Sequence, residues 1–507
     1  MQNLFWGIFT ISVCLIVYWM SYLFAKKNLY TKAFLLIILG GLVLRIYVSS
    51  DGYLHEWDEK YHALIAKNMM QHPLKPTLIE NPVLKYDYKN FTANHIWLEK
   101  GPIPLLAISL SLKLFGLSEF SVRIPSIILS LLAVYLTYLI AQMLFDKKTA
   151  LLAAFFHSIN GYLIELAGGR YSSDHVETAF LFYTELSIFL VTFYIAKKRN
   201  SYIAVLIGLT TGLAVLSKWS PALLVFPVWI IGVYFSKSIS FKTFFLDLII
   251  AFVTVVILVL PYEVFTLINY EAEASYVIKK FLFAYTTTVD DHSAPWYYYI
   301  NQIGIIFGEV VFIPLFLSLF QIAKRKVNWS IIFLTSWWLI PTIIFTMAET
   351  KRSTYLLISA PAFFILASYY WFYFYQLKNR FKKKWVIVLL LILLIVLPIR
   401  YSIERVKPFQ IIERNPQWVA DLKNLNKIIG AENNVIIFNM EHHTEAMFYT
   451  DYTVYKDLPT LKQIDQLKKK GYRIIINDDD GTGLPDKVKN IAGIEITTLV
   501  LKSSTNK

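Results

Sequence analysis

Cysteine is nearly absent from this chain, since Cys14 is the only one among 507 residues. Disulfide bonds within the chain and metal sites built from cysteine are therefore excluded. Charged residues are also scarce, at 17% of the chain, whereas a soluble domain has about 25%. This scarcity excludes an ordinary soluble domain and indicates that lipid is the main solvent of the chain.

The sequence also lacks the marks of a signal peptide and any internal repeat. The first apolar run, Leu4 to Ala25, has no basic residue before it and no small-residue cleavage site before Lys26. We therefore expect a retained membrane anchor there and not a signal peptide. Internal repeats and low-complexity tracts are absent as well.

Apolar residues dominate instead, at 56% of all positions, and the mean hydropathy is +0.50. Many of them gather in stretches near or beyond the roughly 18–20 apolar residues that a membrane-spanning helix needs. The chain is therefore predicted to be a polytopic α-helical membrane protein with about twelve transmembrane helices. The predicted spans are 3–25, 33–50, 119–145, 149–166, 175–196, 201–217, 220–236, 244–263, 301–323, 328–346, 353–375 and 385–400.

The basic residues predict how these spans are oriented. When the spans alternate, six basic clusters fall on one side, which the positive-inside rule makes cytoplasmic. The clusters are Lys26/Lys27/Lys32, Lys147/Lys148, Lys197/Lys198/Arg199, Lys237/Lys242, Lys324/Arg325/Lys326 and Lys378/Arg380/Lys382/Lys383/Lys384. They account for much of the net charge of +14, so we expect a multi-pass protein of the cell (inner or plasma) membrane and no nucleic-acid partner.

The opposite, outer face receives the segments 51–118, 167–174, 264–300 and everything after about 401. We predict a transmembrane domain over 1–403, with 51–118 as its outer-face loop, and a soluble extracytoplasmic α/β domain over 404–507. Within the loop, Leu105 to Phe115 is amphipathic and is expected to lie along the membrane surface. The predicted strands of the tail are Val435–Phe438, Thr453–Tyr455, Arg473–Ile476 and Ile494–Leu501, and its predicted helices are Pro416–Ile429, Leu461–Lys470 and Pro485–Ile491.

Acidic residues at the outer ends of spans are the first candidates for catalysis, because charge near a bilayer boundary is costly to keep. Asp58 and Glu59 follow the second span, and Asp174 begins the fifth. Paired acids suit a general base that takes a proton from an acceptor, with the neighbour orienting a substrate or metal. A solvated helix end at the interface explains the pair about equally well.

Cations on the outer face are candidates for binding phosphate. Lys100 precedes a proline-punctuated turn, and Lys351 and Arg352 stand where the positive-inside rule disfavours cations. Arg170 lies in the outer segment 167–174. Lysine meets phosphate as a point charge and arginine grips it bidentately, although a lone interfacial lysine more commonly only extends its ammonium to water.

Aromatic residues and one histidine complete the candidate site. Trp296 and Tyr297 follow Pro295 in a run that fits either a substrate pocket or an interfacial aromatic belt. His292 and Glu99 are candidate ligands of a divalent metal ion, and no other cofactor is expected. A loop histidine is, however, more commonly just hydrogen-bonded.

The order of these motifs resembles the C-type superfamily of membrane glycosyltransferases, in the branch of protein O-mannosyltransferases and lipid A aminoarabinose transferases. The matching fragments are Asp58-Glu59 with Tyr61; Glu99-Lys100-Gly101-Pro102; Ser118-Glu119-Phe120 with Arg123 and Pro125; Arg170 with Asp174; His292 through Tyr298; and Lys351-Arg352 with Tyr355 to Leu357. Gly101 replaces the first proline of the family's Glu-Lys-Pro-Pro element, and the span before Lys26 is extra. The tail resembles the outer domain of the aminoarabinose-transferase type.

The resemblance implies an inverting glycosyltransferase that moves a sugar from a polyprenyl-phosphate donor to a lipid, glycan or protein acceptor on the outer face. Asp58 would be the base, Lys100, Arg170, Lys351 and Arg352 would bind the donor phosphate, and the substrate pocket would be formed by Tyr61, Trp296, Tyr297 and Tyr355. The alternative is a transporter or flippase of lipid-linked sugars without chemistry. A transporter would place its ionisable groups near the midplane, in two related halves.

Overall fold

The computed structural model describes residues 2–197, 200–325, 327–380, 383–430, 434–478, 484, 491 and 493–499. The helices are α1 (Gln2–Lys26), α2 (Tyr30–Val48), α3 (Asp58–Asn68), α4 (Pro102–Phe115), α5 (Glu119–Leu144), α6 (Lys147–Ile159), α7 (Gly161–Ala167), α8 (Asp174–Ala196), α9 (Ser201–Lys218), α10 (Val225–Ser236), α11 (Phe241–Asn269), α12 (Glu271–Phe283), α13 (Tyr298–Phe307), α14 (Phe312–Ala323), α15 (Trp329–Met347), α16 (Ala360–Leu377), α17 (Lys384–Val406), α18 (Gln417–Lys423), α19 (Leu425–Ile429), α20 (His443–Tyr449) and α21 (Leu461–Lys469). The strands are β1 (Val435–Phe438), β2 (Thr453–Val454), β3 (Arg473–Asn477) and β4 (Glu495–Thr497).

Within these described ranges, nine helices are long and apolar enough to cross a membrane: α1, α2, α5, α8, α9, α11, α15, α16 with its flanking turns, and α17. Two bent pairs meet the same criterion, which brings the number to eleven. The one predicted span that remains, 220–236, falls on an apolar helical segment that is shorter than this criterion requires. The predicted polytopic helical fold class is therefore confirmed, with nine to eleven spans by this criterion where about twelve were predicted.

The two bent pairs break where the local sequence allows it. The predicted span 149–166 is α6 followed by α7, with a 56° bend at Asn160, whose side chain accepts the Leu163 amide and so caps α7. The predicted span 301–323 bends by 114° at Gly308, which adopts a φ of +86° that residues with a Cβ rarely take. Both spans are thus interrupted by residues that end one helix and begin the next.

The chain forms two compact units. The first consists of residues 1–49 and 126–411 and contains most of the apolar helices. Close helix packing there depends on small residues: a Cβ on Gly208 of α9 would lie 2.4 Å from the Ala251 carbonyl oxygen of α11. Buried Arg45 of α2 ties helices together through Ser130 (2.8 Å) and the Ser158 carbonyl (3.1 Å).

The second unit consists of residues 50–125 and 412–507. Its four strands form a parallel sheet in the order β2-β1-β3-β4. The segment 51–118 contributes α3 and α4 to this unit, and α3 contacts α20. These units describe which residues pack together and not where the membrane ends. The predicted division at residue 404 between a transmembrane domain and a soluble domain therefore stays a prediction.

The tail predictions can be compared element by element. The predicted strands at Val435, Thr453 and Arg473 correspond to β1, β2 and β3, and β4 lies within the predicted run Ile494–Leu501. The predicted helix Pro416–Ile429 is split into α18 and α19, and Leu461–Lys470 is α21. Helix α20 was not predicted. The predicted helix Pro485–Ile491 lies outside the described residues, apart from Ile491 itself. Leu501 and the basic residues Lys198, Arg199, Lys326 and Lys382 also lie outside them.

The surface position predicted for Leu105 to Phe115 is a statement about the membrane and stays a prediction. The segment itself lies within helix α4, which begins with Pro102 in its first turn and ends at Gly116, where φ is +84°. Pro102 suits this position because the first turn of a helix needs no intrahelical amide donor. Lys100 and Glu99 are therefore held directly ahead of a rigid helix start.

Candidate functional site

Helix α3 begins at the predicted catalytic acids. Trp57, the residue before it, has φ +71°, a backbone region that bulky residues rarely adopt. Asp58 and Glu59 follow in the first turn, where the helix dipole favours negative charge. The unusual backbone at Trp57 starts the helix abruptly, and backbone of this kind is concentrated at functional sites.

Glu59 is enclosed by a network of hydrogen bonds. Its Oε1 accepts from Nε of Arg123 at 2.7 Å, and its Oε2 accepts from Nη2 of Arg123 at 2.9 Å. Oε2 also accepts from the backbone amide of His55 at 2.6 Å and lies 2.7 Å from its Nδ1. The Glu59 and Arg123 side chains are both 0% exposed. Glu59 is therefore turned away from solvent and committed to partners within its unit.

The same network holds the loop that leads into α3. Arg123 donates to the carbonyl of Asp51 at 2.5 Å and to that of Tyr53 at 2.6 Å. The Asp51 carboxylate lies 3.1 Å from Nε2 of His55 and 2.9 Å from Nη1 of Arg414. Sequence reasoning did not single out Asp51, His55 or Arg414. The two arginines that bind Asp51 are distant in sequence, with Arg123 72 residues away and Arg414 363 residues away. Together these contacts fix the residues that precede Asp58.

Asp58 points to a different partner. Its Oδ2 lies 3.4 Å from Nζ of Lys100, and the two side chains are 15% and 9% exposed. The structure thus brings together the predicted base and one predicted phosphate-binding cation. A carboxylate and an ammonium at this distance can accept a proton and stabilise a nearby negative charge within one site.

Tyr61, one turn beyond Asp58, is under the influence of two carboxylates. Burial and the negative charges of Glu445 and Asp58 raise the pKa of Tyr61 to about 12, so its hydroxyl is a proton donor at neutral pH. Glu445 of α20 contacts Nζ of Lys60 at 3.4 Å. Sequence reasoning missed Glu445, and no local signal marks it, since it lies 385 residues after Lys60.

The predicted cations of the first unit meet an acidic loop. Arg352 donates to Oδ2 of Asp290 at 2.9 Å, while Lys280 lies 3.2 Å from Oδ1 of the same carboxylate. Asp290 itself has φ +51°. Lys351 donates its ammonium to the Ala348 carbonyl at 2.6 Å. An internal carboxylate therefore occupies the position where Arg352 and Lys280 jointly attract an anion.

His292 lies beside this loop. Its carbonyl accepts the backbone amide of Lys351 at 2.9 Å. Partial burial and the charge of Arg352 lower the pKa of His292, against the opposing charges of Asp290 and Asp291. The side chain is therefore neutral at pH 7.

A buried ion pair in the first unit was missed by the sequence reasoning. Lys218 contacts Glu177 of α8, lies 3.3 Å from Oγ1 of Thr354, and sits 5.0 Å from the ring centroid of Tyr355. Lys218 and Tyr355 line a cavity of about 50 Å³. One signal was available, because Lys218 stands in the short gap between the predicted outer ends of the spans 201–217 and 220–236.

The remaining predicted residues of the first unit have varied surroundings. Asp174 is fully buried at the start of α8, and Arg170 donates to the Val406 carbonyl at 3.4 Å. Trp296 and Tyr297 are 71% and 45% exposed and pack edge to face. An exposed pair of rings suits an interface with lipid or a bound molecule and does not form an enclosed wall.

The two predicted metal ligands lie in different units. Glu99 belongs to the second unit and His292 to the first. Among the residues that the structure describes, no group of three or more His, Cys, Asp and Glu side chains is placed to hold a metal ion. The metal site of Glu99 and His292 stays a prediction, and no step below depends on it.

Comparison with known proteins gives a consistent result. A family model described as dolichyl-phosphate-mannose-protein mannosyltransferase matches residues 99–262. An uncharacterized protein from Aquifex aeolicus (strain VF5) is 28% identical over 339 residues, covering 65% of this chain and 62% of that protein. An undecaprenyl phosphate-alpha-4-amino-4-deoxy-L-arabinose arabinosyl transferase from Pseudomonas aeruginosa (strain UCBPP-PA14) is 25% identical over 346 residues, covering 64% of this chain and 56% of the relative. The chain thus spans a little more than half of each relative's length.

The fold is similar to that of ArnT from Cupriavidus metallidurans. The apo crystal structure aligns with a TM-score of 0.64 at 13% identity, covering 90% of this chain and 94% of that one. The structure bound to undecaprenyl phosphate aligns with a TM-score of 0.61 at 13% identity, covering 88% of each chain. The predicted resemblance is confirmed: the chain is related, in sequence and in fold, to the C-type membrane glycosyltransferases of the arabinosyl-transferase and protein-mannosyltransferase branch.

Proposed function

We propose that this protein is a membrane glycosyltransferase that moves a sugar from a polyprenyl-phosphate donor to an acceptor on the outer face of the membrane. The observation that carries the proposal is the pairing of Asp58 with Lys100, at 3.4 Å, at the start of α3. The pair combines a proton acceptor with a cation in a chain whose relatives are transferases of this kind.

The proposed transfer is an inverting displacement. Asp58 takes the proton from the acceptor hydroxyl or phosphate as the acceptor oxygen forms a bond to the anomeric carbon of the sugar. The bond from that carbon to the phosphate oxygen breaks, and the polyprenyl phosphate leaves with the electron pair. Lys100 stabilises the charge that grows on this phosphate, which lowers the barrier because the charge is larger in the transition state than in the ground state.

Glu59 has a positioning role in this proposal. Its two oxygens are engaged by Arg123 and His55, so it is not placed to receive a proton from the acceptor. It anchors the start of α3 and thereby the direction of Asp58. Asp174 is kept as the second candidate acid.

Arg170, Lys351 and Arg352 are proposed to bind the donor phosphate in the first unit, with Tyr61, Trp296, Tyr297 and Tyr355 contacting the sugar or the acceptor. Support comes from the pairing of Arg352 with the carboxylate of Asp290, since a guanidinium that binds one oxyanion suits another. The acceptor is proposed to be a lipid, glycan or protein of the cell envelope. The outer-face orientation rests on the positive-inside pattern.

The test is direct. The full chain, purified in lipid nanodiscs, is supplied with polyprenyl-phosphate sugars one at a time, and mass spectrometry identifies which envelope fraction gains the mass of a sugar. Asp58→Asn is expected to lower turnover by at least about 10²-fold, and Lys100→Ala by about 10²–10³-fold. Matched controls are Glu56→Gln and Lys113→Ala, which change exposed residues that the proposed site does not include and are expected to keep activity.

Three outcomes would overturn parts of this proposal. Near-normal turnover in Asp58→Asn together with an inactive Asp174→Asn would transfer the role of base to Asp174. Normal turnover in Lys100→Ala would place the phosphate site elsewhere. Movement of an intact lipid-linked sugar across the membrane with no transfer product would favour the flippase alternative.

A further inference from the structure

Five residues of the second unit form a cluster that the proposed reaction does not use. We call it the Glu445 cluster; it comprises Tyr53, Lys60, Trp418, His442 and Glu445. None of the motifs discussed above includes Trp418, His442 or Glu445. The cluster nevertheless shares the first turn of α3 with Asp58, because Lys60 is two residues further along that helix.

Three rings line one side of the cluster. The rings of Trp418 and His442 are stacked, with centroids 3.9 Å apart and planes 3° from parallel. The ring of Tyr53 meets that of Trp418 edge to face at 6.3 Å. Each of the three side chains is half-buried, so the row of rings is packed within the unit and still keeps surface that a ligand can contact.

Glu445 forms the buried end of the cluster. Its residue is 1% exposed, and its Oε1 accepts from Nζ of Lys60 at 3.4 Å and lies 3.5 Å from Nδ1 of His442. Burial alone would raise the pKa of Glu445, but the hydrogen bond to His442 and the charge of Lys60 outweigh it, and the pKa lies below its ordinary value. Glu445 is therefore an ionised carboxylate at neutral pH and accepts hydrogen bonds only.

Two buried polar atoms of the cluster lack a hydrogen-bond partner among the described residues. They are Oε2 of Glu445 and Nε2 of His442. A buried polar atom without a partner costs about 1–3 kcal/mol, and native proteins contain few of them. Two on adjacent side chains, beside a row of aromatic rings, indicate that something outside the protein chain completes the bonding.

The charges of the cluster restrict what that partner is. A metal ion is disfavoured because the ammonium of Lys60 already contacts the carboxylate. A phosphate is disfavoured because the free oxygen belongs to an ionised carboxylate. The pair formed by Lys60 and Glu445 has no net charge, so a neutral ligand with hydroxyl donors fits best. A sugar ring supplies hydroxyls at its edge and an apolar C–H face that packs on aromatic rings.

We propose that Tyr53, Trp418, His442 and Glu445 form a binding subsite for a neutral, hydroxylated sugar ring. The ring face packs on the aromatic row. Oε2 of Glu445 and Nε2 of His442 are enclosed in this structure, so the half-buried ring of His442 turns aside as the sugar binds, and ring hydroxyls then bond to the two atoms. Within the proposed function the sugar belongs either to the acceptor or to the donor, and the position of the subsite next to the first turn of α3 puts it beside Asp58. The binding itself does not depend on the proposed reaction.

Binding is measured first, on the full chain in nanodiscs, by saturation-transfer difference NMR with a panel of methyl pyranosides: glucoside, galactoside, mannoside, xyloside and N-acetylglucosaminide. At least one pyranoside is expected to receive saturation from the wild-type protein. Glu445→Gln is expected to weaken its binding roughly tenfold, the loss expected for a hydrogen bond to a charged group. Trp418→Ala is expected to weaken it as well, because it removes a ring on which the sugar packs. The matched controls are Glu441→Gln and Trp385→Ala, which change exposed residues and are expected to leave binding unchanged.

Folding is monitored for each variant by its melting temperature. If Glu445→Gln is unstable, His442→Phe takes its place, because it keeps a ring to stack on Trp418 while removing Nε2. Saturation of no pyranoside by the wild-type protein would overturn the proposal. Equal saturation by the wild type, Trp418→Ala and His442→Phe would also overturn it, since the sugar would then bind elsewhere.

The source of the sugar is decided by kinetics with the substrates identified in the transfer assay. Trp418→Ala is expected to raise the KM of one substrate and leave kcat nearly unchanged, and the substrate whose KM rises contributes the sugar ring. An unchanged KM for both substrates would remove the subsite from the reaction. If no transfer is found at all, the proposed function fails while the NMR result still decides whether the subsite exists.

Discussion

Replacing Glu59 with alanine tests whether this acid has a structural role. The substitution removes the two hydrogen bonds from Arg123, at 2.7 and 2.9 Å, and both contacts with His55. The guanidinium of Arg123 stays in a position that is 0% exposed and loses the carboxylate that it contacts, while the charges of Asp51 and Glu119 still act on it. Removing the carboxylate that a buried cation contacts is destabilising, because water does not solvate the cation in its place.

The magnitude follows from the contacts that remain. Removing one partner of a buried ion pair costs about 3–5 kcal/mol. Arg123 still donates to the carbonyls of Asp51 and Tyr53, so we expect the lower end, about 3 kcal/mol. In a unit of this size each kcal/mol lowers the melting temperature by about 2–4 °C, which makes the expected loss about 6–12 °C.

The assay is thermal unfolding of the purified chain in nanodiscs, followed by tryptophan fluorescence. The control is Lys423→Ala: Lys423 pairs with Glu119 at 2.7 Å but is 44% exposed, so its loss is expected to cost at most about 1 kcal/mol. The double variant Glu59→Met/Arg123→Met should recover much of the loss, because it leaves no unpaired charge. A melting temperature of Glu59→Ala within about 2 °C of wild type, together with lost turnover, would refute the structural role and make Glu59 a catalytic residue.

Three further predictions follow from other parts of the chain. Burial lowers the pKa of His443 below its ordinary value of 6.5. The unfolded chain therefore takes up the proton first as the pH falls, so the stability that neutral His443 contributes is full above pH 6.5 and declines below it. The melting temperature of His443→Asn should fall less than that of wild type between about pH 6.5 and 5, and equal slopes would contradict this. In a cysteine-free background, Asp451→Cys, at a side chain that is 97% exposed, should react with an impermeant maleimide in intact cells, and Lys383→Cys only after lysis; the reverse pattern would invert the proposed orientation. Asp290→Asn should lower the donor KM by up to about fivefold, because it removes the internal anion from Arg352 and an exposed ion pair is worth at most about 1 kcal/mol; a raised KM would show that Asp290 helps to bind the donor.

The membrane helices and the strands could be predicted because their signals are local. A run of about 20 apolar residues is sufficient to indicate a span, and β-branched runs such as Val435–Phe438 indicate a buried strand. The bends at Asn160 and Gly308 were missed, because apolar character continues on both sides of each break. Helix α20 was missed because seven residues give too little periodicity to distinguish a helix from a loop.

The candidate site was predictable only in part, for a similar reason. Asp58 and Lys100 stand out because they are charged residues at the ends of apolar segments. Much of their surroundings comes from distant parts of the chain: Arg414, one partner of Asp51, is 363 residues away from it, and Glu445 is 385 residues away from Lys60. Such pairings depend on the fold of the second unit, which hydrophobic periodicity does not specify.

The two adjacent acids show how local geometry assigns different tasks to the same chemistry. Successive residues of an α-helix point about 100° apart, so the side chains of Asp58 and Glu59 leave the helix in different directions. Glu59 lies toward Arg123, where both side chains are 0% exposed and the carboxylate is bound at both oxygens. Asp58 lies toward Lys100, keeps 15% of its side chain exposed, and lies 3.4 Å from the ammonium of Lys100, a longer distance than those around Glu59. A carboxylate that must accept and release a proton needs access and a replaceable partner, whereas one that must hold a helix start in place needs the opposite. The contrast between the two environments is thus the physical basis for assigning Asp58 as the proposed base and Glu59 as the residue that positions it.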